Sequence, residues 1–127
     1  MSSPTTGGTI QSNWQEGAPA TDPVGIGTDI TGIGAQTNGF DPSGSNNPSL
    51  FTHNNNDGTW VASTSTLGSL VAGVPYRLMV RGDRTVNQFL NASPPSNTTL
   101  RTTGNIVTGN VTVSGCQRFI KFDIRRR

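Results

Sequence analysis

His53 is the chain's only histidine and stands between two carboxylates, Asp41 and Asp57, in a sequence rich in Ser and Thr. A histidine oriented by a carboxylate and placed beside a hydroxyl is the arrangement that activates an oxygen nucleophile. A small hydrolase acting on an activated ester would therefore use His53, Asp41 and Asp57. The Gly-x-Ser-x-Gly turn that presents a nucleophilic serine does not occur; Gly44-Ser45 comes nearest and lacks the second glycine. The competing reading is a solvated histidine at the end of a hairpin, and on that reading no catalytic residue is expected. The same loops are rich in oxygen: Asp41, Asn46, Asn47, Asn54, Asn55, Asn56 and Asp57. Calcium takes six to eight oxygen ligands, and Asp41, Asn55 and Asp57 are the side chains that would supply them. Their spacing matches no EF-hand loop and carboxylates are few, so ordinary Asx turns account for the same residues. No other cofactor is implied.

Trp14 and Trp60 are the candidate ligand-binding residues, because a flat indole can stack on a sugar ring. Trp14, beside Gln15 and Glu16, reads as the exposed one; Trp60 and Tyr76 read as strand residues that fill a core. Arg81-Gly82-Asp83 spells the integrin-recognised tripeptide. A strand-end turn explains it, with Gly82 relaxing the backbone and Asp83 capping or pairing with Arg84 or Arg101. Asn91, Asn97 and Asn110 have the N-glycosylation form, which matters only on a eukaryotic secretory route. Cys116 is the single cysteine, which excludes an internal disulfide and a cysteine zinc site. As a nucleophile it would need a base and an electropositive pocket; adventitious intermolecular pairing is the plainer expectation.

These residues need a frame to hold them. The chain has 127 residues, enough for one domain, with a hydrophobic fraction of 31% and a charged fraction of 13%. Ser, Thr, Asn and Gly dominate the rest, and these favour turns and strands over helix interiors. The net charge of +2 is unevenly placed. Five bases face one acid from Cys116 onward, which leaves the first 115 residues two charges negative. The basic Arg125-Arg126-Arg127 end is a solvated terminus, not a basic face, so nucleic-acid binding is not expected. No apolar run approaches the roughly 20 residues that cross a membrane, and Met1 to Gly8 lacks the basic and apolar regions of a signal peptide.

Helical periodicity is nearly absent, and the apolar residues alternate. Residues 10–16 read as a first short strand. Residues 17–48 read as long Gly/Pro/Asn-rich loops with at most one strand, near residues 27–33. Residues 49–53 and 59–63 flank Asn54-Asn55-Asn56-Asp57-Gly58 and predict a hairpin, since Asn, Asp and Gly tolerate the left-handed backbone of tight turns. Residues 76–81 alternate as a half-buried strand, Pro94-Pro95 marks a loop, and residues 98–103 with 106–113 predict a closing hairpin about Gly104-Asn105. The fold class read from this is all-β, an antiparallel β-sandwich or jelly-roll-like module. Its expected division is a flexible segment 1–12, the module 13–115, and an atypical basic tail 116–127 available as an added edge strand.

The run Gly73-Val74-Pro75-Tyr76-Arg77-Leu78-Met79-Val80-Arg81-Gly82-Asp83-Arg84, followed by Thr99-Leu100-Arg101-Thr102-Thr103-Gly104, resembles large Bacteroidetes-type secreted surface proteins. These are adhesin-like and often carry a sorting domain for type IX secretion. Asn13-Trp14-Gln15-Glu16-Gly17, Phe40-Asp41-Pro42 and Pro48-Ser49-Leu50-Phe51 fit the same pattern, so the likeness covers residues 13–115. From Cys116 the sequence departs from it, and the tail reads as foreign to the family, the chain as a fragment. The resemblance implies a structural or adhesive module of a secreted, cell-surface protein, without membrane insertion. A glycan, by way of the aromatic residues, or another surface ligand is the expected partner. A sheet cut short exposes an edge, so a homo-oligomer through strand edges is also expected. The residues themselves leave a carbohydrate- or calcium-dependent binding module and a small hydrolase as alternatives.

Overall fold

Thr9 and Ser12 decide the first element. Thr9 Oγ1 accepts the Ser12 N–H at 2.9 Å and Ser12 Oγ accepts the Thr9 N–H at 2.9 Å, a reciprocal cap that starts a helix, α1 (Ile10–Trp14). A strand was expected here, and the error has a simple origin. Ile10 and Trp14 are four apart, which places them on one face of a helix and equally on one face of a strand. The cap breaks that tie, and both side chains are buried. The expected boundary between residues 12 and 13 therefore falls inside α1, and residues 5–12 belong to the folded unit.

The computed structural model describes residues 5–17, 27–90 and 92–109. The predicted hairpin forms as β2 (Leu50–Asn54) and β3 (Thr59–Ala62), antiparallel, with Phe51 opposite Ala62 and His53 opposite Trp60. Gly58, at φ +72°, donates its N–H to Asn54 O and closes the turn. β4 (Tyr76–Leu78) pairs with the other side of β2, giving the order β3-β2-β4. It stops short of the expected residue 81; the ladder continues only as the Met79 N–H to Ser49 O bond.

The predicted closing hairpin is replaced by a different pairing. β1 (Thr5–Thr6) pairs with β5 (Asn105–Ile106). Residues 98–103 spend their hydrogen bonds on distant partners: Gly27 N–H donates to Thr99 O, Thr98 Oγ1 donates to Gly27 O, and Asn13 Oδ1 accepts the Thr103 N–H. Residues 110–113 lie outside the described residues, as do Cys116 and the tail. Residues 27–48 hold no strand. They are pinned instead, Asp41 N–H to Ile30 O and Ser49 N–H to Thr31 O, with a single 3-10 turn at Ala35–Asn38.

One core unites these pieces: Ile10, Trp14, Ile30, Phe40, Leu50, Leu70 and Tyr76, with Val74, Leu78 and Leu100 packed against it. Trp14 meets Tyr76 edge to face at 5.3 Å. Among the described residues the regular structure is β-rich, with one small three-stranded antiparallel sheet and almost no helix.

Candidate functional site

The register sorts the sheet into two faces. Leu50 and Tyr76 point into the core, so Phe51 and His53 of β2, Trp60 and Ala62 of β3, and Arg77 of β4 point outward. On this outer face the Arg77 guanidinium lies 4.4 Å from the Phe51 ring centre and 5.3 Å from that of Trp60. These are cation–π distances. His53 meets Trp60 edge to face at 5.1 Å. Trp60 remains 40% exposed.

The Met79 to Ser49 bond carries the ladder past β4 toward an open groove of about 490 Å³. Its lining mixes hydroxyls and an amide (Thr31, Ser43, Ser45, Asn47), two exposed apolar side chains (Met79 and Phe89), Gln88 and one guanidinium, Arg81. Arg81 is held in place: Nη2 donates to Leu90 O at 3.1 Å and Nη1 to Gln88 Oε1 at 3.4 Å.

Behind the groove sits a cluster of opposed charges. Gln88 Nε2 donates to Asp29 Oδ2 at 2.9 Å, and Asp29 Oδ1 lies 3.6 Å from Arg84 Nε. Arg84 Nη2 pairs with Asp41 Oδ1, and its Nη1 donates to Gln15 O at 2.5 Å. Asp41 Oδ2 accepts from Gln15 Nε2 at 2.7 Å and from the Ile30 N–H at 3.0 Å. Burial pushes the Asp29 carboxyl up to about 6, with the nearby Asp41 charge adding to it and the Gln88 and Arg84 contacts opposing it. Two carboxylates thus share one guanidinium, and a hydrogen-bonded path runs from Arg81 through Gln88 to the pair.

This arrangement commits Asp41 to partners other than those expected: it is buried and bound to Gln15, the Ile30 N–H and Arg84 rather than to His53. His53 Nδ1 contacts Asn55 Oδ1 at 2.8 Å. Asp57 accepts the Thr59 N–H at 3.0 Å, the Thr59 hydroxyl at 2.6 Å and Asn54 Nδ2 at 3.1 Å. The Thr59 bonds lower its pKa, with His53 a minor contributor. His53, Asn55 and Asp57 therefore share the hairpin tip, where His53 contacts Asn55 and Asp57 takes donors from Thr59 and Asn54. Among the described residues no three His, Cys, Asp or Glu side chains gather.

The two tryptophans exchange their expected places. Trp14 is 1% exposed and offers no stacking face, because the capped helix turns it into the core. Trp60 is the exposed one, because it stands on the outer face of β3, the strand that ends the described sheet. In the Arg81-Gly82-Asp83 turn, Asp83 Oδ1 accepts from the Thr85 N–H and hydroxyl rather than pairing with Arg84 or Arg101. Arg84 is committed to Asp41, and Arg101 binds Glu16 at 3.0 Å. Gly82 is required: its φ is +151°, and a Cβ there would lie 2.6 Å from Ser96 N. Asn97 is exposed, and Asn91 and Asn110 lie outside the described residues.

The sequence reasoning missed Asp29, Gln15, Arg84 and Gln88. Four polar residues scattered over more than seventy positions carry no local pattern. No family model, curated protein or solved structure matches the chain. No helix among the described residues is long and apolar enough to cross a membrane.

Proposed function

We propose that this chain is an adhesive module of a secreted cell-surface protein, built on a β-sandwich or jelly-roll-like frame, that binds an acidic glycan along the outer face of its sheet. The observation that carries the reading is the run of side chains on that face. Trp60 and Phe51 with Arg77 lead by strand parity to Met79 and the Arg81 groove. Aromatic rings suit the apolar faces of sugars. Hydroxyls and amides suit their hydroxyls, and a guanidinium suits a carboxylate or sulfate by its planar donor fork. The strip from His53 to Ser49 spans about 13 Å at strand rise, long enough for more than one sugar ring. The residues that hydrolysis would need are meanwhile divided between the hairpin tip and the interior, which favours binding over turnover.

The test is calorimetric titration with neutral, carboxylated and sulfated oligosaccharides, alongside Arg81→Ala and Trp60→Ala. Acidic glycans should bind, and each variant should weaken them by about tenfold or more. Equal binding of neutral and acidic glycans would remove Arg81 from the recognition. Binding of no glycan at all would leave only a structural module.

A further inference from the structure

We propose that β3 is a self-pairing edge through which two copies of this chain join their sheets. Ser63 N–H donates to Leu50 O at 2.9 Å, which fixes the alternation of the β2–β3 ladder. The pairs Ser63/Leu50, Val61/Thr52 and Thr59/Asn54 face each other with their hydrogen bonds; Trp60 and Ala62 turn their N–H and C=O groups the other way. β3 ends the strand order on that side, and no described residue bonds those groups. Sheet edges are normally guarded by charge, proline, a bulge or a covering segment. Thr59-Trp60-Val61-Ala62-Ser63 contains no charged residue and no proline.

The occupant that fits is a second copy, in antiparallel register about a two-fold axis through Val61. Trp60 then faces Ala62 of the second copy, and each pair exchanges both main-chain bonds. The large indole meets a small methyl, so the outer face closes without a clash. Val61 lies on the core side of the sheet, with Thr52 and Tyr76, yet is 48% exposed, and no described strand continues the sheet past it. In this register the two Val61 side chains cover each other. No like charges are brought opposite: the nearest, Asp57, belongs to the turn beyond the strand. The two three-stranded sheets become one of six strands, and both outer faces point the same way.

The measurement is the mass in solution over a wide concentration range, by sedimentation and light scattering, with amide exchange of β3. The wild-type chain should move from its 13.3 kDa monomer toward twice that mass as concentration rises. Protection of the Trp60 and Ala62 amides should rise in step. Ala62→Pro removes only an outward N–H and spares the ladder to β2. Val61→Lys sets like charges across the axis. Both should weaken dimerisation by at least about tenfold, and Val61→Lys, whose side chain lies on the opposite face from the glycan strip, should leave per-site glycan binding unchanged. Three results would overturn the proposal: a wild type that is monomeric at millimolar concentration with freely exchanging edge amides, a monomer in which those amides are protected by the chain's own remaining segments, or a dimer that survives both substitutions.

Discussion

The hairpin tip and the buried charge cluster are made of the same kinds of residue and do opposite things. At the tip, Asn54, Asn55 and Asp57 bond partners two or three positions away. In the cluster, Asp41 reaches Gln15 and Arg84, and Asp29 reaches Gln88, across 26, 43 and 59 positions. The tip shapes one turn in water, where each bond replaces one to solvent and gains little. The cluster ties the end of α1, the 27–48 loops and the segment after β4 together, where a lost partner leaves charge in a dry place. An Asp in a loop is therefore not one kind of object; what it reaches decides its worth.

The largest expected effect tests that contrast directly. Asp41→Ala leaves the Ile30 N–H without its acceptor and takes one partner each from Arg84, which keeps Asp29 and Gln15 O, and from Gln15, which keeps Gly39 O; it should cost about 2–4 kcal/mol in denaturant unfolding. A loss below about 1 kcal/mol would place Asp41 with the tip residues and dissolve the distinction. Asp57→Ala should lower the melting temperature much less, since its carboxylate is fully exposed.

Acid should separate the two regions by sign. The Asp29 carboxyl, raised to about 6, binds a proton in the folded state before the unfolded chain does. Its burial as a charge destabilises the fold at neutral pH, so the Asp29 contribution grows more favourable as pH falls from about 6 toward the unfolded value near 4. Asp57 and Asp83, both lowered, contribute stability above the ordinary carboxylate range and lose it as pH falls through their folded values. Melting curves of Asp29→Asn against the wild type should coincide in slope below about pH 4 and diverge between 4 and 6. Parallel curves throughout would show Asp29 titrating normally.

The smallest effect expected is none. Calcium or a chelator should leave the melting temperature where it is, because the tip oxygens already have donors from Thr59, Asn54 and their own turn. A calcium-dependent rise would instead make the tip a metal site and give Asn55 and Asp57 the role their composition suggested.

The hairpin was legible because its signal is contiguous: two β-prone runs around Asn54-Asn55-Asn56-Asp57-Gly58 need no outside help to turn. The strand at Tyr76 was legible for the same reason, though only its first three residues find a partner. The helix was not, since Ile10 and Trp14 satisfy both periods and the decision rests on one hydroxyl pair. Of the candidate site, Trp60 was named and its exposure misjudged, while Arg77, Met79 and Arg81 were visible only as the outward half of an alternation. Their neighbours on the outer face and in the groove come from β2, β3 and the loops, which no local pattern connects.

The sequence by itself determined the class of this protein. Scarce helix formers, abundant turn residues and alternating apolar positions leave an antiparallel β-rich chain with one modest core and no disulfide. Tertiary structure alone decided which tryptophan is buried, which aspartates are spent and which strand ends the described sheet. Those outcomes depend on contacts between residues tens of positions apart, and their energies exist only once the chain has closed on itself.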